Sequence, residues 1–200
     1  MARWEPGAAQ RLQQAAMELF AERGFSNTTI PDITSRAGLT TRTFFRHYND
    51  KREILFVGEN ELPEVVSRLF AQAPVEFAPI DVIVHGLQTV VASRLETQRA
   101  ALRARREIIN SDAGLQEREA HKLACLARAG TTGFAARGLT PPQAAIAASL
   151  AVTVYDVAFN QWLDTDDPTS FADAVTSAAA TLKTVMAWPP GDGRSARPTL

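Results

Sequence analysis

The stretch from Thr28 to Lys51 limits the possible fold more than any other part of this chain, because it contains two short helix patterns joined by one glycine. Thr29 is the expected N-cap of the first helix, and Asp32, three residues later, completes a capping box. Three apolar residues recur at helical spacing and form its buried side: Ile30, Ile33 and Ala37. Gly38 follows, where a left-handed helix cap favours glycine. The pattern predicts a helix-turn-helix.

The second helix of this motif begins at Thr40 or Thr41 and has one buried and one exposed face. Phe44 and Tyr48 are four residues apart, so both can face the core. The outward side chains are polar, basic or aromatic: Thr41, Arg42, Phe45, Arg46 and His47. Such a face suits a DNA groove. The alternative is an ordinary three-helix core with a solvated basic face.

Composition and charge narrow the class of protein. The chain is 46% hydrophobic, contains no run of eighteen apolar residues, and begins with a polar helix rather than an apolar signal segment. We therefore expect a soluble, cytoplasmic protein without a membrane partner. The single cysteine, Cys125, excludes an intrachain disulfide and a multi-cysteine zinc site.

The net charge of −1 is unevenly distributed along the chain. Residues 1–52 carry eight basic and five acidic residues, a net charge of +3, whereas the remainder carries a net charge of −4. Positive charge thus accompanies the helix-turn-helix, where attraction to phosphate requires it.

Helical periodicity continues on both sides of the motif, and no strand alternation of useful length occurs. An amphipathic helix ending at Gly24 precedes the motif, and Arg3 before it is either a minor-groove arm or part of a disordered terminus. Asp50 and Glu53 form a second expected capping box, which begins a fourth helix that extends to Phe70 with a kink at Pro63. Five further helices are predicted over residues 79–97, 98–109, 115–137, 140–163 and 170–187.

We therefore predict an all-α fold of about nine helices. Residues 1–52 form a three-helix DNA-binding head, residues 53–188 a helical ligand-binding and dimerisation body, and residues 189–200 a disordered tail.

The last two helices are rich in small and β-branched residues, which allow close helix packing. Such surfaces suit a dimer seam, with packing inside one subunit as the alternative. The candidate seam residues are Ala144, Ala147, Ala148, Ala151, Val152, Ala174, Ala178 and Ala179.

The run from Leu19 to Leu55 resembles the first four helices of the TetR family of one-component transcriptional regulators; the rest of the chain is similar to that family in length, helical content and helix order. The resemblance implies a dimer whose heads bind a palindromic operator and whose bodies dimerise through their last two helices and bind a small molecule that releases the DNA. It implies DNA contacts at these positions: Thr29, Thr40, Thr41, Arg42, Phe45, Arg46, His47 and Lys51. Phe45 stands where the family often has tyrosine, so an apolar or stacking contact replaces a hydroxyl contact to phosphate.

Residue types suggest separate roles on the DNA. Arg42 and Arg46 match guanine in the major groove, and Thr43, like Thr41, suits a thymine methyl group or a phosphate. His47 and Lys51 are expected to contact the phosphate backbone, where the amides of the next helix N-terminus also lie.

The body contains residues that suit an effector pocket. The candidate lining residues are Arg103, Phe134, Tyr155, Phe159 and Trp162. Arg103 belongs to a basic cluster with Arg99, Arg105 and Arg106, which either meets an acidic ligand group or forms a solvated face. An apolar or amphipathic effector, such as an acid or an acyl thioester, fits this composition, although the aromatic residues can equally fill a core.

Other constellations are weaker. Glu117, His121 and Cys125 share a helix face, but ordinary packing is favoured over a metal site, so no metal or cofactor is expected. His85 has no companion within helical reach and is expected to be structural. No catalytic motif is present, which argues against an enzyme. The sequence favours a ligand-responsive regulator that acts as a dimeric repressor; the alternatives are an activator of the same fold or a helical ligand-binding or adaptor module without DNA function.

Overall fold

The fold is taken from a computed structural model, which describes residues 7–187. Within that range the chain is helical and contains no strand. The α-helices are α1 (Ala8–Arg23), α2 (Ile30–Ala37), α3 (Thr41–His47), α4 (Leu62–Gln72), α5 (Pro79–Gly86), α6 (Ala92–Leu95), α7 (Arg99–Asn110), α8 (Ala113–Ala136), α9 (Pro141–Asp164) and α10 (Phe171–Met186). The all-α prediction is confirmed, with a helix number near the nine expected. The predictions for Arg3 and for residues 189–200 lie outside the described residues.

Helices α1–α3 form the head, and each buries the apolar stripe that its sequence predicts. Leu12 and Leu19 of α1, Ile33 of α2 and Phe44 of α3 are at most 1% exposed. Full burial of a side chain of this size contributes about 1.5–3 kcal/mol relative to exposure. The three helices are therefore held firmly from the inside.

The predicted caps of the motif are confirmed. The backbone N–H of Asp32 donates to Oγ1 of Thr29 at 3.3 Å, and the N–H of Thr29 donates to Oδ2 of Asp32 at 2.9 Å. Gly38 has a φ of 63°, the left-handed conformation that glycine adopts without steric strain. These local interactions set where α2 begins and where it ends.

The cap after α3 forms in a modified way. Oδ1 of Asp50 accepts the N–H of Glu53 at 3.1 Å, as predicted. The Glu53 carboxylate, however, accepts the N–H of Asn49 at 2.7 Å, one residue before the expected partner.

The prediction of one long fourth helix kinked at Pro63 is wrong. A 3₁₀ turn, Glu53–Phe56, ends at Val57; Gly58 then takes a φ of 88°, and a second 3₁₀ turn, Glu59–Glu61, precedes α4. Pro63 lies in the first turn of α4, where its missing N–H costs no helical hydrogen bond. The connection between head and body is therefore broken at Val57–Gly58.

The buried core of the head continues into the body. Ile108 and Ile109 of α7 and Leu115 of α8 belong to the same apolar cluster as the head residues, and Leu55 and Phe56 join it from the connecting turn. A domain boundary at residue 52 stays a prediction, since buried contacts cross it.

The body is built around α8, α9 and α10, which pack side by side, with α4 and α5 lying against them. Trp162, Phe134 and Phe171 are at most 2% exposed at its centre. A Cβ atom added to Gly133 of α8 would lie 2.2 Å from the Phe70 ring of α4, so this ring rests directly on the α8 backbone.

The helix predicted over residues 79–97 is helical throughout in the structure, but it changes helix type along its length. A π-helical segment, Leu87–Val91, separates α5 from α6, and a 3₁₀ turn, Glu96–Gln98, leads into α7. Such π segments insert one extra residue per turn and often occur at functional sites.

The small residues of α9 and α10 pack inside the subunit, which overturns their prediction as the dimer seam. Ala144, Ala147, Ala148, Ala174, Ala178 and Ala179 are at most 5% exposed and belong to the body core, with Ala151 packed against it. Val152 contributes to the wall of an internal cavity. Because the methyl groups of these residues let α8, α9 and α10 approach closely, their role is in the subunit core.

Helix α9 is long and apolar enough to cross a membrane by length and composition alone. Core helices of soluble proteins pass the same test, and eight residues of α9 are buried among its neighbours.

Candidate functional site

Helix α3 presents a polar and aromatic face that nothing in the described part of the chain covers. Thr41, Arg42, Arg46 and His47 are exposed, and the Phe45 ring is 57% exposed. The side chains of Arg42 and Arg46 make no ion pair or hydrogen bond to another residue within 7–187. Two guanidinium groups therefore stand free on one face of a rigid helix.

Three of the predicted contact residues already serve the local fold. Oγ1 of Thr40 accepts the N–H of Thr43 at 3.2 Å, and the two hydroxyl oxygens lie 3.0 Å apart. The hydroxyl of Thr29 is part of the α2 capping box. These side chains fix the N-termini of α2 and α3, and their contact with DNA stays a prediction.

Lys51 is bonded inside the head. Its Nζ donates to the carbonyl oxygen of Phe25 at 2.7 Å and of Thr28 at 2.9 Å, and lies 4.2 Å from the centroid of the Phe25 ring. Burial lowers the pKa of this amine. One N–H of the Lys51 amine remains available for a phosphate, and that contact stays a prediction.

Two other cations of the head orient its helices. Arg36 of α2 forms a two-pronged pair with Glu22 of α1 at 3.0 and 2.9 Å. Its hydrogen bonds lower the pKa of Glu22. Nη2 of Arg11 donates to the carbonyl of Ala37 at 2.5 Å. These bonds hold α2 against α1 and leave the α3 face clear.

A cavity of about 690 Å³ lies between the head and the body. Its wall is largely apolar and includes Leu69, Phe70, Ile83, Leu87 and Phe134. The head contributes side chains from α1 and from the connecting turn: Gln10, Gln13, Gln14, Met17, Ile54, Leu55 and Phe56. An occupant would thus touch the head and the body at once.

Three of the five predicted pocket residues line this cavity, namely Phe134, Tyr155 and Phe159. Trp162 does not, because its ring is 1% exposed and packs against Phe171 in the body core. Arg103 does not either, since it bonds to the end of α9, donating from Nε to the Leu163 carbonyl at 2.8 Å.

The basic cluster of α7 is neither solvated nor gathered at the cavity. Arg99 bonds the carbonyls of Trp162 and Asp167, and Arg106 pairs with Asp164 at 2.5 Å. Arginines bind this helix end because its last carbonyls lack helical partners and carry negative potential. Only Arg105 of the four reaches the cavity wall.

Sequence reasoning missed a charged group at one end of the cavity. Arg105 pairs with Glu119 of α8 at 2.9 Å, and Glu119 also pairs with Lys122. Glu59 accepts from Arg118 at 3.4 Å through Oε2, whereas its Oε1 is buried and has no partner among the described residues. Arg105, Lys122 and Glu59 line the cavity.

Arg105 also connects this charged group to the head. Its Nε donates to the Leu55 carbonyl at 2.5 Å, and its guanidinium lies 5.0 Å from the Phe56 ring centroid. The same side chain therefore contacts the cavity and the turn that follows the helix-turn-helix.

The remaining candidate cluster does not form a metal site. Nε2 of His121 lies 3.5 Å from Sγ of Cys125, and Arg128 donates to that sulfur at 2.9 Å, whereas Glu117 does not join them. Within residues 7–187 no group of three or more potential ligands is placed to hold a metal. The His85 ring packs edge-on against Phe77 at 5.5 Å.

Comparison with known proteins agrees with this geometry. Residues 12–57 match the family model for bacterial regulatory proteins of the tetR family. MftR of Mycobacterium tuberculosis, a transcriptional regulator assigned to mycofactocin biosynthesis, is 42% identical over 43 residues, which are 22% of this chain and 22% of that protein. The match to this curated relative therefore spans about a fifth of its length.

Solved structures match nearly the whole chain. FadR of Thermus thermophilus, a TetR-family repressor in complex with lauroyl-CoA, is 24% identical with a TM-score of 0.56, covering 94% of this chain and 99% of that one. FadR of Bacillus subtilis, in complex with stearoyl-CoA, is 16% identical with a TM-score of 0.56, covering 86% and 96%. GusR of Salmonella enterica is 21% identical with a TM-score of 0.57, covering 93% and 97%. At these identities the likeness to the solved structures establishes the fold alone, whereas the match to the tetR family model covers residues 12–57, the part of the chain that contains the helix-turn-helix.

Proposed function

We propose that this protein is a ligand-responsive transcriptional regulator that acts in the cytoplasm as a dimeric repressor, binds a palindromic operator and is released by a small molecule. The observation that carries the proposal is the free face of α3, with Arg42 and Arg46 unpaired within the described residues. Exposed guanidinium groups on the second helix of such a motif are suited to guanine edges in the major groove.

The DNA contacts that we propose divide into two groups. Arg42, Arg46 and Phe45 face outward from α3 and read bases, with the exposed Phe45 ring placed for a thymine methyl group. The others contact the backbone or bases near it: Thr29, Thr40, Thr41, Thr43, His47 and Lys51.

A dimer places two heads on two half-sites, and the outer faces of α9 and α10 supply a surface for it. Since the alanines first considered for the seam are buried, the seam that we propose uses exposed positions of the same helices. These are Ala145, Ile146, Ser149 and Thr153 on α9, and Ser177, Ala180, Thr181 and Thr184 on α10. Ile146 is 62% exposed, an apolar side chain that a partner would cover.

The effector site that we propose is the cavity shared by head and body. Its volume lies within the range of about 300–1,000 Å³ that ligand pockets usually have. Because α1 and the connecting turn form part of its wall, an occupant can shift the head relative to the body. The lauroyl-CoA and stearoyl-CoA complexes of two relatives support an effector with an aliphatic chain.

Fluorescence anisotropy of a labelled duplex from the DNA upstream of the gene tests the proposal. We expect tight, salt-dependent binding by the full chain, and a loss of about 1–3 kcal/mol in the Arg42→Ala variant that is concentrated at particular base pairs. Arg68→Ala removes another exposed arginine, from α4, and serves as the matched control. If the Arg42 and Arg68 variants bind alike, α3 is not the reading helix, and a module without DNA function becomes the better account.

A further inference from the structure

We propose that the cavity binds an aliphatic chain ending in a carboxylate, which Lys122 and Arg105 hold. This inference gives the chemical class of the effector and so rests on the proposed function for its regulatory meaning. It requires only that the cavity bind ligand, which can be measured without DNA.

The charges at this end of the cavity do not cancel. Arg105 and Lys122 both pair with Glu119, whereas Arg118 pairs separately with Glu59, so two cations share one anion in the first group. One positive charge is left over. Since the side chains of Lys122 and Arg105 are 13% and 18% exposed, water screens it poorly. A ligand with one negative charge would compensate it.

The same group has unused hydrogen-bonding capacity. The Lys122 amine carries three N–H bonds, one of which is directed to Glu119. Burial lowers the pKa of Lys122 and raises that of the Tyr155 hydroxyl, and both groups line the cavity. Lys122 shares its anionic partner Glu119 with Arg105, so a ligand carboxylate would add a second anion beside the two cations.

The apolar part of the cavity wall is suited to the chain. Leu69, Phe70, Phe134 and Phe159 contribute to it, so burial of methylene groups against these side chains is favourable. An alcohol of the same chain length would leave the positive charge of Arg105 and Lys122 uncompensated. The cavity is therefore expected to prefer the acid to the alcohol.

Binding of the acid would also reach the head. A ligand carboxylate competes with Glu119 for Arg105, and Arg105 holds the Leu55 carbonyl. Displacement of this arginine would loosen the turn after the helix-turn-helix.

Isothermal calorimetry on the full chain without DNA tests the ligand class with three probes of one chain length. These are dodecanoate, dodecanol and dodecylamine. We expect the acid to bind more tightly than the alcohol, and the amine not to bind. In Lys122→Met we expect the acid to bind about tenfold or more weakly while dodecanol binds unchanged; Lys122→Arg restores the acid. Lys183→Met, which removes an exposed amine from α10, is the matched control.

Equal affinity for dodecanol and dodecanoate in the wild type would overturn the proposal. This outcome leaves the regulator proposal standing, because operator binding is measured separately. Conversely, acid binding that fails to release DNA would count against the regulator proposal alone.

Discussion

Replacement of Lys51 by methionine separates a structural role of this lysine from a role on DNA. Lys51 was expected from the sequence to contact phosphate. In the structure its ammonium group bonds two carbonyls of the loop between α1 and α2 and lies over the Phe25 ring. Methionine keeps most of the aliphatic length and removes the donor.

The size of the effect follows from these contacts. Two hydrogen bonds from a charged donor contribute about 1.5–3 kcal/mol each, and a cation–π contact at a partly exposed site about 0.5–1 kcal/mol. The half-buried position of the amine and the access of water to the freed carbonyls reduce the total, so the net loss of stability is about 2 kcal/mol. For a chain of this length that corresponds to a fall in Tm of about 4–8 °C.

Thermal unfolding without DNA is the measurement, followed by affinity for a duplex at several salt concentrations. Arg52→Met, which removes an exposed cation one residue away, is the control and should melt like the wild type. If Lys51→Met melts like Arg52→Met but binds every duplex more weakly, with a smaller dependence on salt, the loop bonds contribute little and Lys51 acts on phosphate.

Three further predictions follow from other contacts. Thr29→Ala removes the capping box of α2 and should lower the free energy of unfolding by about 1 kcal/mol in urea titration, whereas Thr29→Ser should not. Burial raises the pKa of Glu119, but Arg105 and Lys122 outweigh it and bring the pKa below 4.5, so its contribution to stability is complete above pH 4.5 and is lost as the pH falls through the folded value. The Tm of Glu119→Gln should therefore fall less on acidification than that of the wild type. Ala180→Glu on the outer face of α10 should give a monomer by light scattering, and a Tm and mass like those of the wild type would contradict the proposed seam.

The parts of the fold that the sequence predicted depend on neighbours within one helical turn. Thr29 with Asp32, and glycine at position 38, meet their partners three or four residues away, so spacing alone identifies them. The exposed face of α3 follows from the burial of Phe44 and Tyr48 for the same reason. The interruption of the predicted fourth helix at Val57–Gly58 was missed because apolar residues keep their helical spacing on both sides of it. Pro63 was the more obvious helix-breaking residue in this stretch.

The parts that the sequence did not predict depend on partners far along the chain. Arg103 and Arg99 bond the end of α9, about sixty residues further along the chain. The spacing of the arginines in α7 could not indicate these partners, so a ligand contact and a solvated face both remained possible from the sequence. The close approach of α8, α9 and α10 likewise decides that their alanines are buried. For the charged end of the cavity a signal was present, since α8 places Arg118, Glu119 and Lys122 together near its start, yet only the fold brings Glu59 and Arg105 to them.

Selection of bound sequences from a random duplex library by the full chain tests the central claim most directly. A dimeric reader with the α3 face on DNA predicts enrichment of an inverted repeat whose half-sites lie about one helical turn apart, with guanines that lose their enrichment when Arg42 or Arg46 is replaced by alanine. Recovery of no enriched sequence at low salt, or of the same sequence by the two alanine variants, would contradict the proposal that this protein is a sequence-specific DNA-binding regulator.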